Sequence, residues 1–500
     1  MNDLLISKKN ILIGMDYQVV YGIVDDFLLS KLIYDNRLVE NDIAFICIKG
    51  ARFDTHDDIF DIIKNGSKLV VIDQNIDVDL LIDKLKNNNI NINNLTIVKV
   101  NDTRIALAVM SKNYFKNPTK DLKLIGITGT KGKTTTAFMI KKILEVDGHK
   151  TGIIGTIGCE FNNKKFKTNN TTPESYILYD FFYQMKNDGV EYVVMEVSSQ
   201  SLKLNRVYGL YFDYAIWTNI SPDHIGVNEH KDFDDYFNCK LKIFNNCKNA
   251  IINADDKHFE TVLKYCQSIG LSPITYSIKD VKKHIFSNDK YFGIEFNCGM
   301  IKENIIISMP GLHNVQNAIC AISVAKAIGI NDYVIKNALS DVSVNGRVEI
   351  IEKNDDFTVL VDYAHNEVGT EALINSIKEY DHKRIVVVFG SGGNRDVERR
   401  YGMGHAVGRL ADFCIVTADN SRFEKTIDII NQIVEALRQE TDQYIVIEDR
   451  SEAIKYAINN HKKGDIICII GKGHEDYNDF QGKKTYFSDR EEVLKAINGK

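Results

Sequence analysis

The chain is poor in proline, with five in 500 residues, so each one punctuates a turn or an element end. It holds nine cysteines, few for its length, odd in number and never spaced as CxxC. That excludes a disulfide framework or a zinc ribbon and leaves reduced, mostly core thiols. No apolar run approaches the roughly 18 residues that a membrane span needs. Neither sign of charge dominates: 62 Lys plus Arg against 68 Asp plus Glu give a net charge of −6, which excludes a polybasic nucleic-acid coat. Met1 to Asn10 carries Asp3, Lys8 and Lys9, and Asp16 breaks the apolar stretch that follows, which makes a poor secretory signal. Solenoid-like repeats and long low-complexity tracts are also missing, and the run Lys86 to Asn94 reads as polar loop. What is there, 26% charged and 44% hydrophobic residues, is the composition of a large cytosolic α/β enzyme. Neither nucleic acid nor membrane is expected as a partner. At roughly 150 residues per domain the length suggests about three domains.

Residues 1–102 mix short β-like runs (Ile43–Ile48, Lys68–Asp73, Leu95–Val100) with helical stretches, a small α/β unit. From Leu122 apolar strands alternate with helices, with Leu122–Thr128, Tyr192–Val197 and Tyr214–Thr218 predicting a parallel sheet. Tyr291 to Met309 reads as an antiparallel meander, followed by a helix from Asn314 to about Ile328. After Val344 the runs Thr358–Val361, Arg384–Phe389, Phe413–Thr417 and Asp465–Ile470 predict buried strands separated by helices. Three of them end in glycine- or Asp/Asn-rich loops, the place where open α/β sheets bind ligands. The expected division is 1–102, 103–344 and 345–500.

The sharpest signal is Gly126-Ile-Thr-Gly-Thr-Lys-Gly-Lys-Thr-Thr-Thr136, after a strand and at the opening of a helix. Gly129, Thr130, Lys131, Gly132 and Thr135 would close backbone N–H groups around phosphate oxygens, helped by the helix dipole. Lys133 can reach the β- and γ-phosphates of ATP, and the Thr134 hydroxyl is placed to ligate Mg²⁺. The spacing is GTxGKTT, since Ile127 occupies the first glycine position of the usual pattern. Glu196, ending a strand in Met-Glu-Val-Ser-Ser, suits a Mg²⁺ carboxylate. Asp223-His224 follows another strand beside Pro222. Asn170-Thr171-Thr172-Pro173 supplies donors for an anionic substrate, and Arg206 a guanidinium that could fork onto a carboxylate or phosphate.

In this order the motifs GTxGKTT, NTTP, MEVSS, DH, NADD (Asn253–Asp256), GLHNVQNA (Gly311–Ala318), GRVE (Gly346–Glu349) and DYAH (Asp362–His365) resemble the Mur ligases. The resemblance runs from Asp35-Asn-Arg37 through Gly471-Lys-Gly-His-Glu475 to Ser488-Asp-Arg490, nearly the whole chain. It is closest to the type that adds the third residue of the peptidoglycan stem peptide. It implies an N-terminal UDP-binding unit, a central ATPase and a C-terminal Rossmann-like domain that receives the amino acid. It also implies ATP-driven activation of the D-Glu side-chain carboxylate of UDP-MurNAc-L-Ala-D-Glu as an acyl phosphate, which an amine then attacks. By the same resemblance Lys133 and Thr134 bind triphosphate and one Mg²⁺, Glu196 holds that metal, and His224 helps hold a second. Lys240 matches the lysine that the family carboxylates with CO₂, which would turn an ammonium into an anionic oxygen ligand. Asn314 and Asn317 fall near the adenine, and Arg347 and Asp362 close on the nucleotide from the third domain, a hinge closure that excludes water. Thr171, Thr172, Ser198 and Arg206 fall where the family holds the muramoyl dipeptide. Tyr34, Asn36 and the segment Ala51-Arg-Phe53 fall where it holds UDP. A monomer is expected.

The amine is expected to be chosen by Gly390-Ser-Gly-Gly-Asn-Arg-Asp396 and Asp419-Asn-Ser-Arg422, which resemble the loops of the meso-diaminopimelate-adding members. meso-Diaminopimelate carries a distal carboxylate that lysine lacks, and Arg395 and Arg422 are suited to fork onto carboxylates. Asp419, Asn420, Ser421 and Gly471 would complete the pocket, with Glu475 facing the distal ammonium. Ser421, Asn36 and Leu204 stand where the family usually has Pro, Ser and Gln, and DYAHNE lacks the proline that commonly follows DYAH. A paralogue that ligates L-lysine or another acid–amine pair therefore stays open. A P-loop switch protein without ligase activity is the alternative from a different class.

Overall fold

The computed structural model describes residues 4–50, 53–223, 225–226, 229–279, 281–288 and 292–499. The chain divides into two compact units, Met1–Ala137 with Gly148–Tyr276, and Phe138–Asp147 with Ser277–Lys500. Both are α/β.

The first unit holds two larger sheets. One orders its strands Gln18–Tyr21, Thr96–Lys99, Ser67–Ile72, Ile43–Ile46, Leu32–Ile33, parallel except for the first. The other orders Lys164–Phe166, Gly158–Phe161, Thr151–Gly155, Tyr192–Glu196, Lys123–Thr128, Phe212–Trp217, Cys247–Asn253, Ile274–Tyr276. From Thr151–Gly155 onward this sheet is parallel, so its strand carboxyl ends share one edge. Tyr192–Glu196 is buried throughout and Lys123–Thr128 in all but its first residue, as expected for parallel strands covered on both faces.

The division expected at residue 102 is not where the contacts separate. One apolar core runs from Ile11, Leu29 and Val71 through Met110 to Trp217, Phe244 and Cys266. Tyr34, Tyr114 and Phe115 all pack on Tyr176, with ring centroids 6.1, 6.3 and 5.2 Å apart. Asp102 is the N-cap of the Thr103–Tyr114 helix, accepting from Arg104 N at 2.7 Å and Ile105 N at 3.1 Å.

In the second unit a three-stranded antiparallel sheet, Lys282–Ser287, Phe292–Asn297 and Ile305–Ile307, confirms the expected meander but begins earlier than Tyr291. The helix Leu312–Ile328 is apolar nearly all round and stops at Gly329, whose φ of +100° closes the helix end. The main sheet orders Glu349–Lys353, Phe357–Asp362, Asp465–Ile470, Arg384–Phe389, Phe413–Val416, Tyr444–Val446, parallel except for the first. The last-added parallel strand, Asp465–Ile470, inserts between Phe357–Asp362 and Arg384–Phe389, so four strand ends bring their loops together at one edge. All nine cysteines are free thiols, and only Cys298 is not fully buried. Among the described residues no helix is long and apolar enough to cross a membrane.

Candidate active site

Two sites are built, one in each unit. The first lies at the carboxyl edge of the eight-stranded sheet. Gly129 follows the Lys123–Thr128 strand at φ +144°, and a Cβ there would stand 2.0 Å from Thr218 Oγ1, so only glycine fits. The neighbouring strand end shapes the loop. Thr130 N donates to Asn219 O and Lys131 N to Asn219 Oδ1, both at 2.9 Å, while Thr218 Oγ1 donates to Lys131 O at 2.7 Å. Lys133 Nζ donates to Gly129 O at 2.9 Å and Thr130 O at 3.1 Å, which curls the ammonium over the loop mouth. Gly132, at φ +84°, leads into the helix Lys133–Val146, whose first turn carries the buried Thr134 and Thr135.

Glu196 ends the strand beside the loop and is 1% exposed. Its Oε1 accepts from Thr134 Oγ1 and from Thr156 N, both at 2.9 Å, and its Oε2 accepts from Thr156 Oγ1 at 3.1 Å. At Gly155 a Cβ would come within 2.3 Å of Glu196 Oε1, so the adjacent strand keeps a glycine to admit the carboxylate. A hydroxyl and a carboxylate, both hard oxygen donors at a phosphate loop, fit Mg²⁺, which takes few protein ligands and fills the rest with phosphate and water. Among the described residues no group of three or more His, Cys, Asp or Glu gathers as a metal cage. His224 lies outside the described residues, as do Ala51 and Arg52.

Lys240, on the Phe233–Leu241 helix, is 2% exposed; its Nζ donates to Gly129 O at 2.8 Å and lies 4.8 Å from the Tyr236 ring centre. Burial, with the charge of Lys133 added, holds its ammonium far below the ordinary lysine range. Beside Glu196, Thr172 Oγ1 donates to Glu196 O at 2.9 Å and accepts from Ser198 N at 3.0 Å. Thr171 Oγ1 is 3.1 Å from Thr156 Oγ1, and Asn170 is exposed. Arg206 donates through Nη1 to Thr172 O at 3.1 Å and stands 2.8 Å from Glu174, which also pairs with Arg104 at 3.4 Å. Thr171, Thr172, Ser198 and Arg206 are thus brought together. Tyr34 joins them: burial, then the charge of Glu174, pushes its hydroxyl up to about 12. Asn36 is exposed and donates to Asp58 Oδ2 at 2.6 Å.

The second site is a cavity at the carboxyl edge of the six-stranded sheet. It is lined by Tyr363, His365, Ser391, Gly392, Arg395, Arg399, Asp419, Asn420, Arg422, Gly471 and Glu475. Arg395 and Arg422 both line this cavity and both border Gly392, where a Cβ would stand 3.5 Å from Arg422 Nη1 and 3.9 Å from Arg395 Cγ. Arg422 sits at φ +50°, a left-handed conformation strained for a residue with a Cβ, and is clamped by the Tyr477–Phe480 hairpin strand. Its N donates to Asp479 O at 2.9 Å, its O accepts from Gln481 N at 2.7 Å, and its Nη1 donates to Gly393 O at 2.6 Å. Arg395 is exposed. Asn420 Nδ2 donates to Glu475 Oε2 at 2.7 Å. Burial, and then Asp419, raise the Glu475 carboxyl above its usual range. Asp419 is also pushed up by burial, but Lys472 and Arg450 outweigh this and hold it below the usual range.

Ser421 does not line the cavity; it is buried and its hydroxyl is 2.7 Å from Thr426 Oγ1. Asn314 and Asn317 are buried on the Leu312–Ile328 helix: Asn314 Nδ2 donates to Pro310 O at 2.7 Å, and Asn317 Nδ2 to Asn314 Oδ1 at 3.3 Å. Asp362 turns to its own backbone, accepting from Val348 N at 2.8 Å and Ala364 N at 2.7 Å. Arg347 stacks on Tyr363, 4.7 Å from the ring centre. Tyr363 and His365 lie inside the DYAH motif and Ser391 and Gly392 inside the Gly390–Asp396 loop, but none of the four takes a role of its own from the sequence, which passes over Arg399, Thr156 and Asn219. The available signal was their position directly after a strand, or one register step from the phosphate loop.

A phosphate loop, an adjacent carboxylate and a separate cationic pocket on a second parallel sheet define a nucleotide-dependent α/β enzyme. Residues 127–325 match the Mur ligase middle domain and residues 346–473 the Mur ligase glutamate ligase domain. The chain belongs to the Mur ligase family. A Clostridium perfringens protein named UDP-N-acetylmuramoyl-L-alanyl-D-glutamate–2,6-diaminopimelate ligase is 41% identical over 504 residues, covering 98% of this chain and 99% of its own. A Clostridium botulinum protein of the same name is 42% identical, covering 94% of this chain and 95% of its own. A solved structure of a ligase of that name has a TM-score of 0.67 at 24% identity, covering 99% of both chains, and establishes the shared fold.

Proposed function

We propose that this enzyme uses ATP to join meso-2,6-diaminopimelate to the D-Glu side-chain carboxylate of UDP-MurNAc-L-Ala-D-Glu, in peptidoglycan precursor synthesis. The observation that carries the choice of amine is the shared cavity of Arg395, Arg422 and Glu475. Two cations and one carboxylate complement an amino acid with an extra carboxylate and an extra ammonium. Lysine would leave one guanidinium facing nothing or facing its own charge.

A carboxylate is a poor electrophile, because its oxygen is a poor leaving group. In the proposed reaction a carboxylate oxygen of D-Glu attacks the γ-phosphorus and ADP departs, leaving an acyl phosphate. The amine then attacks the acyl carbon, phosphate leaves with the bonding pair, and the amine's proton passes to solvent. The chain's part is to orient and to neutralise charge. The loop amides of Gly132–Thr135 and Lys133 would cradle the triphosphate, the Thr130 and Lys131 amides being bonded to Asn219, and Thr172, Ser198 and Arg206 would hold the dipeptide's carboxylates. Thr134 and Glu196 would hold one Mg²⁺ and His224 would help hold a second, ions that would offset phosphate charge when bound. The depressed Lys240 amine supports its carboxylation, since a neutral amine is the form that adds CO₂ with loss of a proton.

The reading keeps three functional regions, 1–102 for UDP, 103–344 for ATP and 345–500 for the amine. It takes the enzyme as a cytoplasmic monomer acting where ATP is available. A screen of phosphate release tests it: release is expected with UDP-MurNAc-dipeptide plus meso-diaminopimelate and not with either alone. Turnover of ATP without any amine would instead favour a nucleotide switch.

A further inference from the structure

Beneath the cationic cavity lies a line of buried charges. Lys472 is 0% exposed, directly after the Asp465–Ile470 strand and Gly471. Its Nζ donates to Asn420 Oδ1 at 3.0 Å and to Tyr477 O at 2.7 Å, and stands 3.5 Å from Asp419 Oδ1. On the far side Arg450 forks onto Asp489 through Nε and Nη2, both at 2.7 Å, and donates to Ala418 O and Ile470 O at 3.2 and 3.0 Å. Ile470 ends the strand before Gly471, and Ala418 stands two residues past the end of the Phe413–Val416 strand, directly before Asp419. A buried ammonium is costly unless paired, and here it is paired on every side.

The consequence falls on an amide. The two ends of an asparagine amide have nearly the same shape, and hydrogen bonds decide which way it points. Asn420 Oδ1 accepts from both Lys472 Nζ and Asp479 N, the latter at 2.9 Å. The ammonium can only donate, so the oxygen must face it and Nδ2 must face Glu475 Oε2, at 2.7 Å. The geometry points to Lys472 as a positioning residue for amine recognition: through Asn420 it fixes the carboxylate of Glu475 in the cavity, toward the distal ammonium of the incoming amino acid. This rests on the ligase reading above. Lys472 touches no substrate itself. It sits one residue after a glycine of the cavity lining, is fully buried and is not itself part of that lining.

Kinetics of the full-length enzyme test it, with the Michaelis constants of amine, ATP and UDP-dipeptide measured separately, using whichever amine the wild type ligates. Lys472→Met keeps the length and removes the charge and its donors. The amine KM is expected to rise about tenfold or more, the others staying within about twofold, as for loss of one charged hydrogen-bond donor. Should Lys472→Met fail to fold, the charge-balanced Asp419→Asn/Lys472→Met is compared with Asp419→Asn alone, and the same rise in amine KM is expected between them. An unchanged amine KM in either comparison, or a rise in all three constants together, overturns the proposal. A wild-type enzyme that ligates no amine overturns the ligase reading instead, and is seen before any variant is compared.

Discussion

Thr134 Oγ1 donates to Glu196 Oε1 at 2.9 Å, joining the first turn of the loop helix to the end of the neighbouring strand. Neither residue is near the other in sequence. The parallel register that sets Glu196 opposite Ile127 brings them together. Because Thr156 gives Glu196 two more hydrogen bonds, the carboxylate stays satisfied without Thr134. Thr134→Val is therefore expected to slow ligation on the order of 10²-fold while costing only about 1 kcal/mol of stability. Phosphate-release kinetics and thermal unfolding check both, and wild-type turnover in this variant would remove the hydroxyl from the chemistry.

Lys240 contributes a second, independent test. Lys240→Ala is expected to abolish ligation and to be partly rescued by added short carboxylic acids, which can take the place of the missing anionic oxygens. The measurement is product formation with and without formate or acetate. Undiminished activity in the variant would exclude Lys240 from the mechanism.

Arg422 is held in a left-handed backbone conformation so that its guanidinium enters the cavity. Arg422→Ala is expected to lower kcat/KM for meso-diaminopimelate roughly 10- to 100-fold, the worth of a charged hydrogen bond of about 1.5–3 kcal/mol. Any activity with L-lysine should change far less. Equal losses for both amines, measured in parallel, would contradict the assignment of Arg422 to the distal carboxylate.

Glu475 predicts a pH dependence. Its carboxyl is raised by burial and by Asp419, so it takes up a proton at a higher pH than an ordinary glutamate. Only the ionised form attracts the ammonium of the amine. The amine KM should therefore climb as pH falls through this raised pKa, and Glu475→Gln should flatten that acid limb while starting from a higher KM. An identical acid limb in the variant would assign the titration elsewhere.

Much of this was legible in the sequence because it is local. The glycine-rich loop needs only a strand before it and a helix after it, and Asp419, Asn420, Arg422, Gly471 and Glu475 sit in loops that follow uninterrupted apolar strands. What was not legible depends on partners far along the chain. Lys472 stands inside a quoted motif, yet its partners include Asp419 and Asn420 from the loop after the Phe413–Val416 strand, with Tyr477 at the start of the hairpin that follows. Asn219 and Thr156 matter because of strand order. The strand Lys282–Ser287 escaped because Lys-Lys-His-Ile-Phe-Ser is polar and largely exposed, held by pairing with Phe292–Asn297 rather than by an apolar pattern. Ser421 was expected in the pocket by its place between Asn420 and Arg422, but its hydroxyl is taken by Thr426, five residues on.

The most direct test is a product mass spectrum from purified enzyme, ATP, UDP-MurNAc-L-Ala-D-Glu and equimolar meso-diaminopimelate and L-lysine. The predicted result is a single product carrying the mass of diaminopimelate less water. A product carrying lysine, or one carrying both amines equally, would contradict the role given to the paired guanidinium groups of Arg395 and Arg422.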